Sequence, residues 1–208
     1  MAENSLVKSI DRVVESAREK YDSIMESNYV ARDMIIDGVP TRGQTEEQKK
    51  RTTTEDEYTY TVTCQLGSKV SRGSEIKIKS QDGDTWQVGM VTSVPQRTPV
   101  DYLFYVLIFN TEMKRYRTQY QYSEDGYVVG NSPLIIDDIP CFVQRVGMRQ
   151  RQVDVGIDSN AVNEFRTLYK WDIQKGDILE VGSERYKVTD LKELDKDICQ
   201  GYMTYYRE

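Results

Sequence analysis

The side chains that could carry out catalysis or hold a metal are few and scattered. The 208-residue chain contains no histidine, which removes the commonest general base and the commonest zinc ligand. Its three cysteines, Cys64, Cys141 and Cys199, are far apart and form no CxxC pair. We therefore expect them to be reduced, buried side chains of a protein assembled inside a cell, and not zinc ligands.

Two acidic pairs come closest to the pattern of a metal site. Asp82-Gly83-Asp84 resembles the start of a calcium loop, but the residues that follow supply none of the further acidic ligands, so a hairpin turn is expected. Asp137-Asp138 has no third carboxylate nearby, which argues against a two-metal site. The glycines of Gly67–Gly73 lack the Gly-Lys-Ser/Thr ending of a phosphate loop. We therefore expect no enzyme activity, no cofactor and no metal.

Two basic clusters leave alternatives open. Lys114-Arg115-Tyr116-Arg117 interleaves cations with an aromatic ring, as a single-strand nucleic-acid platform would, but also as a strand with a solvated face would. Arg145, Arg149 and Arg151 either contact DNA or pair with an acidic neighbour. The net charge of −6 and the pI of about 5.0 favour protein partners, because tight binding to phosphates usually requires net positive charge.

The N-terminal segment predicts an amphipathic helix from about Ser5 to Asn28. Asn4 or Ser5 can cap its first N–H groups. Apolar residues recur on one face at spacings of three and four: Leu6, Val7, Ile10, Val13, Val14, Ala17, Tyr21 and Ile24. Such a stripe must dock either on the core of the same chain or on a neighbouring subunit, and the sequence leaves both open.

Residues 38–56 are polar, carry a run of charges and lack apolar periodicity, which predicts a linker or arm. From Glu57 onward the sequence is typical of strands. Residues 58–64, 76–78 and 116–122 alternate apolar or aromatic with polar residues. Tyr102–Phe109 is a nearly continuous apolar run, which predicts a strand buried on both faces.

The later part of the chain continues this pattern. We expect short strands at 134–136 and 141–146, a strand at Thr167–Ile173, a hairpin of Ile178–Val181 with Arg185–Leu191, and a last strand at Gly201–Tyr206. Gly147 to Asn163 has no convincing period and predicts a long loop, a kind of segment that is often functional.

These elements predict a mainly β fold: a small β-barrel or sandwich-like domain with a long loop, plus an N-terminal amphipathic helix. The expected organisation is a helix in residues 1–37, a polar arm in 38–56 and one β-barrel-like domain in 57–208, with the loop at about 147–163. The start of the chain does not resemble a signal peptide, and the longest apolar run is too short to span a bilayer. No membrane partner is expected.

Several short motifs resemble the head-completion, or stopper, proteins of long-tailed bacteriophages. In that family a glycine-bearing strand leads to a Ser-x-Pro-like turn, an apolar strand, and a turn with asparagine. The matching residues here are Trp86-Gln-Val-Gly89, Ser93-Val-Pro95, Tyr102 to Phe109, and Asn110 to Tyr116, with Lys175 to Ile178 and Arg185 to Thr189 similar to its closing hairpin. The chain departs from the pattern at Thr111, where a second asparagine is usual, and at Met113, where leucine is usual.

The resemblance implies a structural protein of the phage neck. Such head–tail connectors form a homo-oligomeric ring below the portal or an adaptor protein and above the tail proteins. The ring retains the packaged DNA, contacts the double strand transiently and provides the tail attachment surface. The implied location is the neck of the virion, which is assembled in the host cytoplasm.

The same resemblance assigns two sets of candidate residues. The channel loop would include Gly147, Arg149, Arg151, Asp154, Asp158 and Asn160. The subunit interface on the N-terminal helix would include Leu6, Val7, Ile10, Val13, Val14 and Tyr21. Two alternatives remain: another tail or baseplate component, which would not bind a portal, and an OB-like single-stranded nucleic-acid-binding module, which would bind single strands in a salt-dependent way.

Overall fold

Alternation of apolar and polar residues decides which side chains enter the core of the computed structural model. The structure describes residues 2–27, 30–51, 56–80, 83, 85–147, 158–192 and 196–207. In Glu75–Lys79 the two isoleucines are buried and the flanking charged residues are half-buried. In the strand that ends at Gln65, Tyr60, Val62 and Cys64 are buried between half-buried threonines. The predicted period of two is therefore confirmed in both strands.

The described residues form two compact units, 1–50 with 57–108 and 51–56 with 109–208. Unit 1 begins with one helix and contains seven strands: α1 (Ala2–Glu26), β1 (Arg32–Ile36), β2 (Val39–Arg51), β3 (Asp56–Gln65), β4 (Glu75–Lys79), β5 (Trp86–Val91), β6 (Gln96–Arg97) and β7 (Asp101–Ile108). The strand order is β3-β2-β1-β4-β5-β7-β6, and pairing of β3 with β7 closes six of these strands into a barrel.

Residues 38–56 are not the polar arm that the sequence predicts, because Val39–Arg51 is a strand of this barrel. Asp37 and Gly38 both have positive φ and connect β1 to β2, with Ile36 opposite Val39. That is the geometry of a two-residue hairpin turn, for which Asp-Gly is a preferred sequence. A barrel strand is paired through its backbone on both sides, so β2 does not need an apolar pattern to be held in place.

The packing of β5 against β7 depends on a glycine. A Cβ atom at Gly89 would lie 2.4 Å from the carbonyl oxygen of Leu107. Only a residue without a side chain allows this approach of the two backbones. On β7, Phe104, Val106 and Leu107 are buried but Tyr105 is exposed, so the prediction of a strand buried on both faces is wrong at that residue.

Unit 2 is a second closed barrel with the strand order β10-β13-β12-β11-β8-β9. Its elements are β8 (Thr111–Tyr122), β9 (Val128–Arg145), β10 (Asn163–Leu168), a 3₁₀ turn (Tyr169–Trp171), β11 (Ile178–Val181), β12 (Glu184–Leu191) and β13 (Ile198–Tyr205). The predicted hairpin of β11 and β12 is confirmed, with Val181 opposite Glu184.

Two strand predictions in unit 2 are wrong. The strands predicted at 134–136 and 141–146 are not two short strands: residues 134–136 and 141–145 belong to the single strand β9, which ends at Arg145. The strand predicted at Thr167–Ile173 lies four residues earlier and gives way to the 3₁₀ turn at Tyr169. Asp172, at the end of that turn, has φ of +47°, a left-handed conformation that a continuous strand does not contain.

Each barrel encloses a core of its own. The core of unit 1 includes Met34, Ile76, Ile78, Phe104 and Val106, and that of unit 2 includes Met113, Ile139, Phe165, Leu179 and Val188. The predicted fold class, mainly β with a barrel and an N-terminal helix, is confirmed. The predicted single domain over 57–208 is not what the structure shows, because the chain passes from one barrel to the other at residues 108–109.

Candidate interaction surfaces

The C-terminal half of α1 packs on the barrel of unit 1. Met25 is buried. Gln65 Nε2 on β3 donates a hydrogen bond to Asp22 Oδ1 at 3.1 Å, and Arg18 Nε donates to the carbonyl oxygen of Pro99 at 3.0 Å. Tyr21 is half-buried, and its burial raises the pKa of the phenol to about 12. One edge of the predicted apolar stripe is therefore covered by the same chain.

The other edge of the stripe is open to solvent. Ile10 is 53% exposed and Val13 is 69% exposed. Ala17 and Ile24 continue the exposed line along the helix, at the spacing that keeps residues on one face. The predicted interface set is thus divided: Ile10 and Val13 are exposed, Val14 and Tyr21 are half-buried, and the side chains of Leu6 and Val7 lie outside the described part.

The predicted channel loop connects two neighbouring strands of the second barrel. Arg145, at the end of β9, pairs with Asn163, at the start of β10. The loop prediction is therefore one residue too long at its C-terminal end. Val146 N donates to the carbonyl oxygen of Val162 at 2.9 Å, so the loop leaves and rejoins the barrel at adjacent points.

Only part of the predicted set in this loop can be placed. Gly147 is half-buried, and Asp158 and Asn160 are exposed. Asn160 N donates to Asp158 Oδ1 at 2.8 Å, which is a local turn. Arg149, Arg151 and Asp154 lie outside the described residues.

The basic cluster of β8 is tied into its own barrel. Arg115 is buried and donates from Nη1 to the carbonyl oxygens of Trp171 and Asp172 at 2.5 and 2.6 Å. Arg117 donates from Nε and Nη2 to the two carboxylate oxygens of Asp177, both at 2.7 Å, and from Nη1 to Asp172 Oδ2 at 2.9 Å. We call Arg115, Arg117, Asp172 and Asp177 the arginine clamp.

The charges of the clamp are matched to one another. The hydrogen bond from Arg117 lowers the pKa of Asp172, and the hydrogen bond to Asp177 raises the pKa of Arg117. Burial lowers the pKa of Arg115. Lys114, next along the strand, forms an exposed ion pair with Asp137 at 3.5 Å. The cations that a nucleic-acid platform would use are therefore engaged with the protein itself, which favours a structural role for this cluster.

Sequence reasoning missed one surface, a hairpin that extends beyond the second barrel. In the described residues, β11 pairs with β8 only over Met113–Tyr116, and β10 pairs with β9 only over Phe142–Arg145. The pairs between β8 and β9 continue to Tyr122 opposite Val128. We call residues 117–135 the β8–β9 arm. The alternation over residues 116–122 predicts the β8 strand of this arm. The length of β9 was missed because Gly130-Asn131, which lies within that strand, is a sequence typical of turns.

Each of the two units has an open groove on its surface. A groove of about 900 Å³ in unit 1 runs along the β1–β2 hairpin, between the apolar residues Met34, Val39 and Pro40 and the partly exposed ring of Trp86. A groove of about 590 Å³ in unit 2 is lined by Ile173, Leu191 and Ile198, with Lys192 and Lys196 among its polar residues. Both grooves mix apolar and charged residues.

The three cysteines are free thiols and are buried, as predicted. Burial raises the pKa of Cys141 and of Cys199 to about 12 and also raises that of Cys64. Since only the thiolate is a strong nucleophile or metal ligand, these thiols stay protonated and unreactive in the folded chain at neutral pH.

The described residues contain no group of three or more cysteine, aspartate or glutamate side chains placed to hold a metal ion. No helix among them is both long and apolar enough to cross a membrane.

No model of a protein family, no curated protein and no solved structure matches this chain.

Proposed function

We propose that this chain is a structural protein of the neck of a tailed phage particle, a head–tail connector of the stopper type. Copies of the chain form a ring that binds the portal or an adaptor protein on one side and tail proteins on the other. The ring retains the packaged DNA and provides the surface to which the tail attaches. The protein acts in the virion after assembly in the host cytoplasm.

The exposed apolar edge of α1 is the observation that carries the proposal. Ile10, Val13, Ala17 and Ile24 are exposed in one line while the opposite edge of the same stripe rests on the barrel. Scattered exposed apolar residues are normal, but an organised line marks a contact surface. A protein whose work is to join its neighbours in a ring has a use for such a surface.

The charge and the loop support the same proposal. A net charge of −6 disfavours tight contact with phosphates, as suits a channel through which DNA passes. The loop between β9 and β10 begins and ends at paired residues, Arg145 and Asn163. A long loop held at both ends by a rigid barrel is a suitable element for closing a channel. The resemblance of several short motifs to stopper proteins is the ground for proposing this particular neck protein.

The first experiment tests the helix edge by analytical ultracentrifugation with the portal of the presumed phage. We expect the wild-type chain to form a discrete ring with the portal. The Ile10→Ser/Val13→Ser variant should keep its melting temperature and lose the ring, because these side chains are already in water in the free chain. Glu15→Ser, on the opposite face of the helix, is the matched control and should assemble normally.

The outcomes of this experiment distinguish the neck protein from the two alternative functions and test the role of α1. A chain that ignores the portal would refute the neck assignment and point to a tail or baseplate component. Binding of single-stranded DNA at low salt, lost as salt rises, would instead support the nucleic-acid-binding alternative. Normal assembly of the Ile10→Ser/Val13→Ser variant would remove α1 from the interface.

A second experiment tests the loop. Deletion of Gly147–Asn160, closed by a short Gly-Ser linker, should leave a folded protein because Arg145 and Asn163 are neighbours in the barrel. Particles that carry this variant should assemble and then lose their DNA. The measurement is the fraction of filled heads by electron microscopy. Filled heads at the wild-type level would contradict the role of the loop.

A further inference from the structure

We infer that one face of the β8–β9 arm is a docking surface for a second copy of this chain. The inference rests on the homo-oligomeric ring of the proposed function and names a surface that builds it. The two strands of the arm pair only with each other among the described residues, beyond the residues of β8 that pair with β11 and those of β9 that pair with β10. A two-stranded ribbon is marginally stable in water by itself, so such an arm gains order by packing on a partner.

The pairing register assigns the arm's residues to two faces. Residues directly opposite each other in an antiparallel pair share a face, and successive residues alternate. One face therefore carries the pairs Tyr116–Ile135, Thr118–Pro133 and Tyr120–Asn131. The other carries the pairs Arg117–Leu134, Gln119–Ser132 and Gln121–Gly130. We call the first the outer face, because the second begins at Arg117, which is bound in the arginine clamp.

The outer face is apolar and well exposed. Tyr120 is 56% exposed and Ile135 is 50% exposed. Thr118, Asn131 and Pro133 lie between them and are also exposed. From Thr118 to Ile135 the only charged residues are Glu124 and Asp125, in the turn at the tip of the arm. An apolar strip of this length is unusual on a surface that is otherwise rich in charge.

The net charge of the chain favours a second copy as the partner that covers the outer face. The chain is acidic, with 34 carboxylates against 28 lysines and arginines, so charged faces of two copies repel each other on average. The outer face is neutral and is therefore a place where copies can meet without that cost. Beyond Arg117, which is bound in the arginine clamp, the arm contains no lysine or arginine, and this makes it a poor match for DNA, which requires cations.

The exposed area sets how much of a subunit interface the arm can form. The exposed side chains of the outer face offer roughly 400 Å² on one copy, and covering them with the facing surface of a second copy buries about twice that, less than the ~1,200 Å² of a standard specific interface. The arm therefore forms one part of a subunit interface and not the whole of it.

The test inserts charge on either face of the arm. Tyr120→Glu and Ile135→Glu place carboxylates on the outer face. Gln119→Glu and Gln121→Glu place them on the opposite face and are the matched controls. All four positions are exposed, so the variants should fold as the wild type does, which urea unfolding would verify.

Sedimentation of the full-length chain gives the result. We expect the wild type and both controls to form the oligomer and the outer-face variants to sediment at or near the 24.2 kDa of one chain. Oligomers that survive both outer-face variants but are lost in the α1 variant would overturn the inference and leave the ring standing. A wild-type chain that stays monomeric at every concentration, with and without portal, would overturn both.

A crosslink can identify the occupant directly. The three native cysteines are buried, so Asn131→Cys, at an exposed position of the outer face, adds a readily accessible thiol for a benzophenone maleimide. Illumination should yield a product of about twice 24.2 kDa whose peptides all come from this chain. The matched probe at Gln121→Cys, on the opposite face, should give much less of this product. Equal yields from the two probes, or a crosslink to portal alone, would contradict the assignment.

Discussion

Replacement of Arg117 by alanine should unfold the second barrel at a much lower denaturant concentration. Arg117 holds β8 to the segment between the 3₁₀ turn and β11, through two hydrogen bonds to the carboxylate of Asp177, one to the carboxylate of Asp172 and one to the carbonyl oxygen of Asp172. The side chains of Arg117 and Asp177 are 18% and 3% exposed. The substitution would leave the Asp177 carboxylate buried with the backbone N–H of Gln174 as its remaining described partner.

The burial of the Asp177 carboxylate determines how much unfolding free energy the Arg117→Ala variant loses. Removing one partner of a buried ion pair costs about 3–5 kcal/mol, and because Arg117 keeps some contact with water we expect about 3 kcal/mol. Asp172 is two-thirds exposed, so its contact adds little. The Arg117→Ala/Asp177→Ala double variant should lose less than the sum of the two single losses by about 1–3 kcal/mol, since each single change leaves an unpaired charge.

The assay can be confined to the second barrel. The chain has two tryptophans, Trp86 in unit 1 and Trp171 in unit 2. In a Trp86→Phe background, the fluorescence of Trp171 reports unfolding of unit 2 alone. Urea titrations of this background with and without Arg117→Ala then give the difference in the free energy of unfolding. Lys114→Ala, which removes an exposed ion pair on the same strand, is the control and should leave the midpoint unchanged.

Acid should reduce the difference in unfolding free energy between the Arg117 variant and its parent by a small amount, because the contact that titrates is the exposed one with Asp172. The hydrogen bond from Arg117 lowers the pKa of Asp172 in the folded chain. The stability from this contact is thus present above the unfolded value, near 4, and is lost as pH falls through the lower folded value. Equal urea midpoints for Arg117→Ala and Lys114→Ala at pH 7 would refute the reasoning, since the buried pair would then contribute no more than the exposed one.

Three further predictions concern the cores and the thiols. Gly89→Ala should lower the stability of unit 1 by about 1–3 kcal/mol, because its Cβ would meet a carbonyl oxygen of β7 at 2.4 Å; an unchanged melting temperature would contradict it. Met25→Ala should cost about 2–4 kcal/mol, since the side chain is buried where α1 meets the barrel, whereas Ile24→Ala, at an exposed position, should change the melting temperature little. A thiol reagent should modify the cysteines rapidly only after unfolding. Stability should fall as pH rises above about 9, because the unfolded thiols ionise there while Cys141 and Cys199 keep their protons up to about 12; flat stability from pH 9 to 11 would contradict this.

The sequence predicts those strands whose side chains alternate. In β4 the two isoleucines face the core and the charged residues face outward, and the period of two shows this directly. β2 has a polar sequence and gains its place from backbone pairing in a closed barrel, which leaves no mark on side-chain pattern. The boundary between the barrels also lacks a mark, because β7 and β8 follow each other with only Phe109 and Asn110 between them.

The candidate surfaces, like the strands, can be predicted from the sequence only where a local pattern marks them. The stripe of α1 follows from helical spacing, but which edge the barrel covers depends on contacts with distant strands, such as that of Gln65 with Asp22. The arginine clamp joins residues about 55–60 positions apart, so the sequence displays its cations without their partners. Whether a basic cluster is available to a ligand is therefore a property of the fold and not of composition.

Barrel closure sets how the chain reaches its folded state. Unit 1 closes when β3 pairs with β7, and unit 2 closes when β8 pairs with β11. These contacts join residues 36–48 and 62–68 positions apart, and folds dominated by such distant pairings form in milliseconds to seconds, far more slowly than helical bundles. Until the last pair forms, each barrel is an open sheet with two unpaired edges. Newly made chains are therefore most prone to aggregate before closure, and mutations that slow closure should lower the yield of soluble protein even where final stability is unchanged.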